Sequence, residues 1–383
     1  MGKRKILYID EIPVIGGGTN SLSLILKNLD RRKYEPFLLN PEGPVNERCR
    51  QMNIKVIPYN FKHRFLSIRV KGKRIIDPLA LTYRLIDGFR FSSIVKRYQI
   101  DLIHCNNISG YVASSVVSFL TRIPVIWHVR TYWPDKLYSL WLPDKVIFVS
   151  DDLRKASGRN CGSPKMMVIH NGLNLDFCTS NNRKNPFRTE LGLNDHILVG
   201  NVGRVVPWKG LHVLIKSMQP IFKEVEKTKL LIVGDEYVNE RNRQSSYMME
   251  LKDLTRKLGI TDKVIFTGFR ADVSNVLSAI DIFVSSSIND PNPRAILEAM
   301  YMGCTVVGTR SGGVPEMIED GKSGILVPPD DPESMTKAIK MLIENAALRA
   351  GMGQAAKKRV EDRFTIDITQ RNIEEVYEEL LKV

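Results

Sequence analysis

Short apolar runs alternate along the chain with longer stretches whose apolar residues recur at three- and four-residue spacing. That pattern predicts a parallel sheet covered by helices. In the first half, Lys5–Ile9, Pro36–Leu39, Leu102–His104, Val125–His128 and Val146–Ser150 read as strands. In the second half, Leu198–Val202, Leu230–Val233, Val264–Thr267, Ile282–Ser285 and Thr305–Gly308 do the same. The halves repeat one unit. Lys5–Ile9 leads through Gly16, Gly17 and Gly18 into a helix with Leu22, Ile25, Leu26 and Leu29 on one face. Leu198–Val202 leads through Gly203, Arg204, Lys209 and Gly210 into a helix with Leu211, Leu214, Ile215 and Met218 on one face. Strand–loop–helix units of this kind build doubly wound sheets. The fold class expected is therefore α/β, with two doubly wound parallel-sheet domains facing a cleft. The polar interval Phe177–Asp195 is the linker candidate, which gives domains 1–185 and 186–365.

The chain has 383 residues and a formal net charge of +14. The charge is uneven: residues 1–190 hold 31 Lys+Arg against 15 Asp+Glu, and residues 191–383 hold 25 against 27. One half thus expects an anionic partner or a membrane surface and the other does not. Cys49, Cys105, Cys161, Cys178 and Cys304 are scattered, with no C-x-x-C, which argues against a disulfide framework or zinc site. The apolar run at the start ends at Asp10-Glu11, too early for a signal peptide. Ile108–Leu120 contains four serines and meets Arg122, so it does not read as a bilayer span. The expected setting is cytoplasmic, with at most peripheral contact at the inner face of a membrane.

Candidate chemistry begins at the glycine turns, because a loop entering a helix presents unpaired amides and the positive end of the helix dipole. Taken alone, Gly16–Gly18 reads as an ordinary tight turn. The second turn adds Arg204 and Lys209, two cations able to neutralise a diphosphate. Asp290 and Glu298 flank Pro291, Asn292 and Pro293, with Asn292 expected as N-cap and Pro293 as first helical residue. Asp290 then lies before the helix and Glu298 in its second turn. His128 closes a strand ahead of the aromatic loop Tyr132-Trp133-Pro134; His104 and His170 read as structural. The six histidines show no metal-ligand spacing.

Together these segments resemble the retaining nucleotide-sugar glycosyltransferases of family 4, whose two Rossmann-like domains form the arrangement called GT-B. The resemblance covers nearly the whole chain. It takes in the first glycine loop, Phe148-Val149-Ser150, His170-Asn171-Gly172, Val202-Gly203-Arg204 with Lys209-Gly210, Ile232–Asp235 and Phe266-Thr267-Gly268. It continues through the Asp290–Glu298 region and Ser311–Glu316. It implies that Arg204 and Lys209 hold the donor diphosphate, Glu298 the nucleotide ribose, and Asp290 the transferred sugar. His128 would face that sugar near its reactive carbon. Gly17, Gly18, Gly268, Phe269, Arg270, Arg294 and Ala295 complete the donor set, with Phe266–Arg270 lining the base pocket. Two departures stand out: the family has Glu where Asp290 stands and usually Gly where Pro293 stands.

The implied reaction is metal-independent transfer of a hexose-type sugar with retention, by front-face displacement, with no cofactor. The donor is a nucleoside-diphosphate sugar, UDP-linked in preference to GDP-mannose. The acceptor is a saccharide or lipid-linked molecule of cell-envelope, exopolysaccharide or lipopolysaccharide synthesis. Lys62, Arg64, Arg69, Lys71, Lys73 and Arg74, interleaved with bulky apolar residues, suit an anionic acceptor or anionic lipid, and equally a solvated basic loop. Arg130, Tyr132 and Trp133 are placed with them. Residues 366–383, with Ile373, Val376, Tyr377 and Leu380 on one face, are expected to form a helix crossing back to the first domain. The rival readings are a GT-B enzyme of other chemistry (an epimerase or phosphorylase), a non-catalytic relative, and a nucleic-acid-binding protein. The last lacks any helix-turn-helix, zinc-finger or aromatic single-strand platform.

Overall fold

A computed structural model describes residues 2–62, 67–70, 73–132, 143–158, 162–178, 186–236 and 246–382. The chain divides into two compact units, Met1–Gly172 with Ile366–Val383, and Leu173–Thr365. The division falls at Gly172–Leu173, ahead of the polar interval that the sequence suggested as a linker. Because the acidic C-terminal helix joins the basic unit, the charge asymmetry narrows. The first unit holds 30 Lys+Arg against 18 Asp+Glu, and the second 26 against 24.

The first unit contains β1 (Arg4–Ile9), β2 (Tyr34–Asn40), β3 (Lys55–Pro58), β4 (Ser67–Val70), β5 (Lys73–Ile76), β6 (Leu102–Cys105), β7 (Val125–Val129), β8 (Lys145–Phe148) and β9 (Met166–Val168). Seven of these make one parallel sheet in the order β3-β2-β1-β6-β7-β8-β9, while β4 and β5 form a separate antiparallel pair. Side chains alternate across each strand. Leu7, Ile103, Val125 and Trp127 therefore pack in one core layer, while Ile6, Tyr8, Leu102 and Ile126 pack in the other. That second layer is completed by Ile373, Val376 and Tyr377 of the helix Ile366–Leu381. The C-terminal helix thus returns to the first sheet, and its apolar face is the one read from the sequence.

The second unit contains β10 (Ile197–Val202), β11 (Thr228–Val233), β12 (Val264–Gly268), β13 (Ile282–Ser285), β14 (Thr305–Thr309) and β15 (Ile325–Val327). They form a six-stranded parallel sheet in the order β12-β11-β10-β13-β14-β15. Leu211, Leu214, Ile215 and Met218 of the helix Leu211–Glu224 are wholly buried against it. Both sheets are α/β and doubly wound. In each, the direction of strand addition reverses beside the first strand, between β1 and β6 and between β10 and β13. Such switch points leave a crevice beyond the carboxyl ends of the strands, where ligands bind in folds of this kind.

Two local expectations need correction. The helix after the first glycine run is Gly17–Asn28, so Gly17 and Gly18 open the helix and are not part of the loop before it. Extended Gly16 is the N-cap, and its N–H donates to Thr19 Oγ1 at 2.7 Å. In the second unit the helix is Arg294–Tyr301 with Pro293 as N-cap in an extended conformation, one residue later than expected from Asn292. Among the described residues, no helix is long and apolar enough to cross a membrane.

Candidate active site

The loop after β10 and the loop after β13 meet at the second switch point. Gly210 has a φ of 64°, and a Cβ there would fall 2.1 Å from the Ser286 carbonyl oxygen. This close approach brings Lys209 against the end of β13, where Ser286 Oγ donates to the Lys209 carbonyl at 2.9 Å and the Ile288 N–H donates to the Trp208 carbonyl at 2.9 Å. Exchanging Gly210 for alanine is expected to cost about 3 kcal/mol, from left-handed strain plus the clash, read as a lower denaturant midpoint.

The result is a close ion pair. Lys209 Nζ lies 2.6 Å from Asp290 Oδ2, with the two side chains only 14% and 8% exposed. Asp290 is clamped from its other side. A Cβ on Gly312 (φ 59°) would sit 2.3 Å from the Asp290 carbonyl oxygen, which accepts the Gly313 N–H at 2.9 Å. One turn into the following helix, Glu298 Oε1 is 3.4 Å from Arg294 Nη2. Trp208 supports both cations of its loop, with Lys209 Nζ at 4.8 Å and Arg204 Cζ at 5.9 Å from its ring centroid. The shortened carboxylate at Asp290 therefore still reaches its lysine. The backbone offers less than expected. The N–H groups of Lys209, Gly210, His212 and Val213 donate to Val206, Pro207, the Tyr247 hydroxyl and Gly210, respectively. Positive charge at this loop is carried mainly by the Arg204 and Lys209 side chains.

The remaining donor candidates of this unit lie at the end of β12 and in the first turn of the helix Arg294–Tyr301. Gly268 accepts the Gly234 N–H at 2.9 Å, Phe269 is 77% exposed, and Ala295 is half-buried in the first turn of its helix. Arg270 is engaged elsewhere in this unit, donating to both oxygens of Glu190 at 2.9 and 3.1 Å and to Asp272 at 2.8 Å.

The switch point of the first unit gathers a second polar cluster. Asp10, wholly buried after β1, accepts from Asn106 Nδ2 at 2.6 Å, Asn107 Nδ2 at 2.9 Å and the Ile12 N–H at 2.9 Å. Burial still raises its pKa, against those hydrogen bonds and the charge of Arg130. Arg130 follows β7 and donates to Asn106 Oδ1 at 2.5 Å and Asn171 Oδ1 at 2.6 Å, with Nη2 3.3 Å from His128 Nδ1. A Cβ on Gly18 would lie 3.6 Å from Arg130 Cδ, so the first turn of the helix Gly17–Asn28 borders this cluster. Arg130 belongs with His128, not with the surface basic segment where the sequence placed it.

His128 is 1% exposed, and its Nε2 has no hydrogen-bond partner among the described residues. Its Nδ1 lies 3.1 Å from His104 Nε2, whose Nδ1 in turn lies 2.6 Å from the Tyr377 hydroxyl. Burial first and Arg130 second hold both imidazoles neutral, with His104 pushed down to about 3 and His128 well below its ordinary value. His104, which reads as structural from the sequence, is the hub joining Tyr377 to His128. Asp10 and Asn106 are not among the sequence candidates, and Asn171 enters only within the segment His170-Asn171-Gly172; their common signal is a polar residue just beyond an apolar strand, at the end where crevices form.

Of the basic segment, Lys62 is exposed with Nζ 5.6 Å over the Tyr83 ring. Arg69 lies on β4 directly opposite Arg74 on β5, with Val70 opposite Lys73. Arg64, Lys71 and Trp133 lie outside the described residues. The Tyr132 hydroxyl donates to Asp152. Among the described residues, no group of three or more His, Cys, Asp or Glu is placed to hold a metal ion.

Two family models match the chain one after the other: glycosyltransferase family 4 over residues 15–177 and glycosyl transferases group 1 over residues 183–359. The chain belongs to the family 4 glycosyltransferases. Among curated glycosyltransferases it is 25% identical over 288 residues to the capsular polysaccharide biosynthesis glycosyltransferase CapM of Staphylococcus aureus, covering 70% of this chain and 74% of that one. A glycosyltransferase structure from Rickettsia africae ESF-5 superposes with a TM-score of 0.84 at 22% identity, covering 100% of both chains. HepE of Anabaena, solved in complex with UDP and glucose, superposes with a TM-score of 0.81 at 24% identity, covering 98% of this chain and 99% of that one. This glycosyltransferase thus has the GT-B fold, and its two parallel-sheet units are the two Rossmann-like domains.

Proposed function

We propose that this glycosyltransferase moves a hexose-type sugar from a nucleoside-diphosphate sugar to an anionic saccharide or lipid-linked acceptor, with retention of configuration and without a metal. The observation that carries the reading is the Lys209–Asp290 pair at the β10–β13 switch point, with Arg204 on the same loop and Glu298 in the next helix. Arg204 and Lys209 take the diphosphate, whose charge grows as the sugar bond breaks. Asp290 takes hydroxyls of the transferred sugar and Glu298 the two ribose hydroxyls. The exposed ring of Phe269 beside Gly268 suits a base. His128 is assigned to an oxygen of the sugar, which its unpartnered Nε2 fits. The acceptor hydroxyl attacks on the side of the departing phosphate, which takes the proton. No covalent protein intermediate is required, and positioning with electrostatics does the catalysis.

UDP-glucose or a related UDP-hexose is the preferred donor, since the similar HepE was solved with UDP and glucose. An envelope or capsular polysaccharide is the preferred product, in line with the similar CapM. The unit Leu173–Thr365 is read as the donor domain and the more basic first unit as the acceptor domain. Incubation with a panel of UDP-, GDP- and ADP-sugars tests this. Nucleoside diphosphate release that depends on added acceptor is expected, and strict acceptor independence across the panel would contradict transfer.

The paired strands β4 and β5 place Arg69, Arg74 and Lys73 on one hairpin beside Ile68 and Ile75. We read this basic hairpin as the contact with an anionic membrane surface at the inner face of the cytoplasmic membrane. The protein is expected to co-sediment with phosphatidylglycerol vesicles more than with phosphatidylcholine vesicles, and less so at high salt. Equal binding to both would remove the membrane contact.

A further inference from the structure

The polar line on the sheet face under the C-terminal helix has a direction that can be worked out atom by atom. Arginine has only donors. With Arg130 Nη2 3.3 Å from His128 Nδ1, that nitrogen carries a lone pair. His104 Nε2 also lies 3.1 Å from the same nitrogen, so it carries the hydrogen. A neutral His104 then has a bare Nδ1, which accepts from the Tyr377 hydroxyl at 2.6 Å. With the Tyr377 hydrogen committed, the Tyr8 hydroxyl donates to Tyr377 at 2.9 Å. All four groups are nine-tenths buried or more, so solvent does not compete. Sequence register supports the line, because Tyr8 on β1 stands directly beside His104 on β6. The rings of Tyr8 and His104, and of His104 and His128, stack at 5.2 and 5.3 Å.

We propose that Tyr8, Tyr377 and His104 are positioning residues that fix His128 as its Nε2–H tautomer, presenting a buried N–H donor to an oxygen of the bound sugar. The inference rests on the reading of His128 as a site residue and deepens it. It makes His128 a hydrogen-bond donor in the resting enzyme, not a base. It also gives the C-terminal helix a role in the site beyond packing, because Tyr377 reaches His128 through one imidazole. A neutral His128 fits this role, since an imidazolium there would point its Nδ1 hydrogen at the donor-only guanidinium of Arg130.

The test combines nitrogen-15 NMR of the histidines with kinetics. In the wild type, His128 should show a protonated Nε2 and a bare Nδ1; the reverse tautomer would overturn the proposal without any need for turnover. Tyr377→Phe leaves His104 free to switch tautomer and should lower kcat about tenfold, the scale of one lost hydrogen bond, while the KM for donor changes little. In a His104→Gln background the amide N–H cannot tautomerise, so Tyr377→Phe should change kcat by less than about twofold. An equal loss in both backgrounds would mean that Tyr377 acts only by helix packing, and would overturn the proposal. Full transfer by His128→Ala would overturn the site reading beneath it, an outcome the tautomer spectrum distinguishes from a failure of the hydrogen-bonded line.

Discussion

Replacing Lys209 with alanine should lower kcat/KM by at least about a hundredfold and destabilise the second unit by about 3–5 kcal/mol. Both effects follow from one contact. Lys209 Nζ and Asp290 Oδ2 are 2.6 Å apart and largely shielded from water. Among the described residues, removing the lysine leaves the carboxylate with one weak backbone donor, the Asn292 N–H at 3.3 Å. An uncompensated buried charge costs far more than an exposed pair contributes, because the remaining ion has no water to turn to. Activity falls independently, since one of the two cations for the leaving diphosphate is gone. The two losses separate in the double variant. Adding Asp290→Asn to Lys209→Ala should restore much of the thermal stability, read as Tm, without restoring transfer. A single Lys209→Ala protein of wild-type Tm would show that the pair is not buried in solution.

Exchanging Glu298 for glutamine should have the opposite profile, with a large functional loss and almost none in stability. Among the described residues its partner is Arg294 at 3.4 Å, one turn away on the same helix; the contact is long and glutamine can still accept it, so the stability cost is expected to stay under about 1 kcal/mol. Glutamine keeps the size and one acceptor oxygen but loses the charge and the second acceptor that two adjacent ribose hydroxyls require. Charge-assisted hydrogen bonds are worth about 1.5–3 kcal/mol each. The expected result is therefore a fall in kcat/KM of about ten- to a hundredfold, carried mostly by a higher KM for the nucleotide sugar. Steady-state kinetics against donor concentration reads this directly. An unchanged KM would remove Glu298 from the donor site.

Why these residues were visible in the sequence, and others were not, has a physical basis. Arg204, Lys209, Asp290 and Glu298 lie on two loop–helix segments whose spacing is local, so their grouping could be read along the chain. The central strands were legible for a related reason: buried on both faces, β1, β6, β7, β10, β13 and β14 read as continuous apolar runs. Three of the four edge strands of the two parallel sheets, β3, β9 and β15, have only three or four residues each and carry little pattern, whereas the five-residue edge strand β12 was legible. The Tyr8–Tyr377–His104–His128 line was hidden because its members are spread from position 8 to position 377 and meet only through sheet register and the returning helix. The helix starts at Gly17 and Arg294 were each displaced by one or two residues, because a glycine or proline can sit on either side of an N-cap.

The central claim is that the second unit holds the nucleoside diphosphate through Lys209 and Glu298. Calorimetric titration of UDP into the wild type, Lys209→Ala and Glu298→Gln proteins tests it most directly. The account predicts saturable binding to the wild type and at least about tenfold weaker binding to each variant. Equal affinity for all three would contradict it.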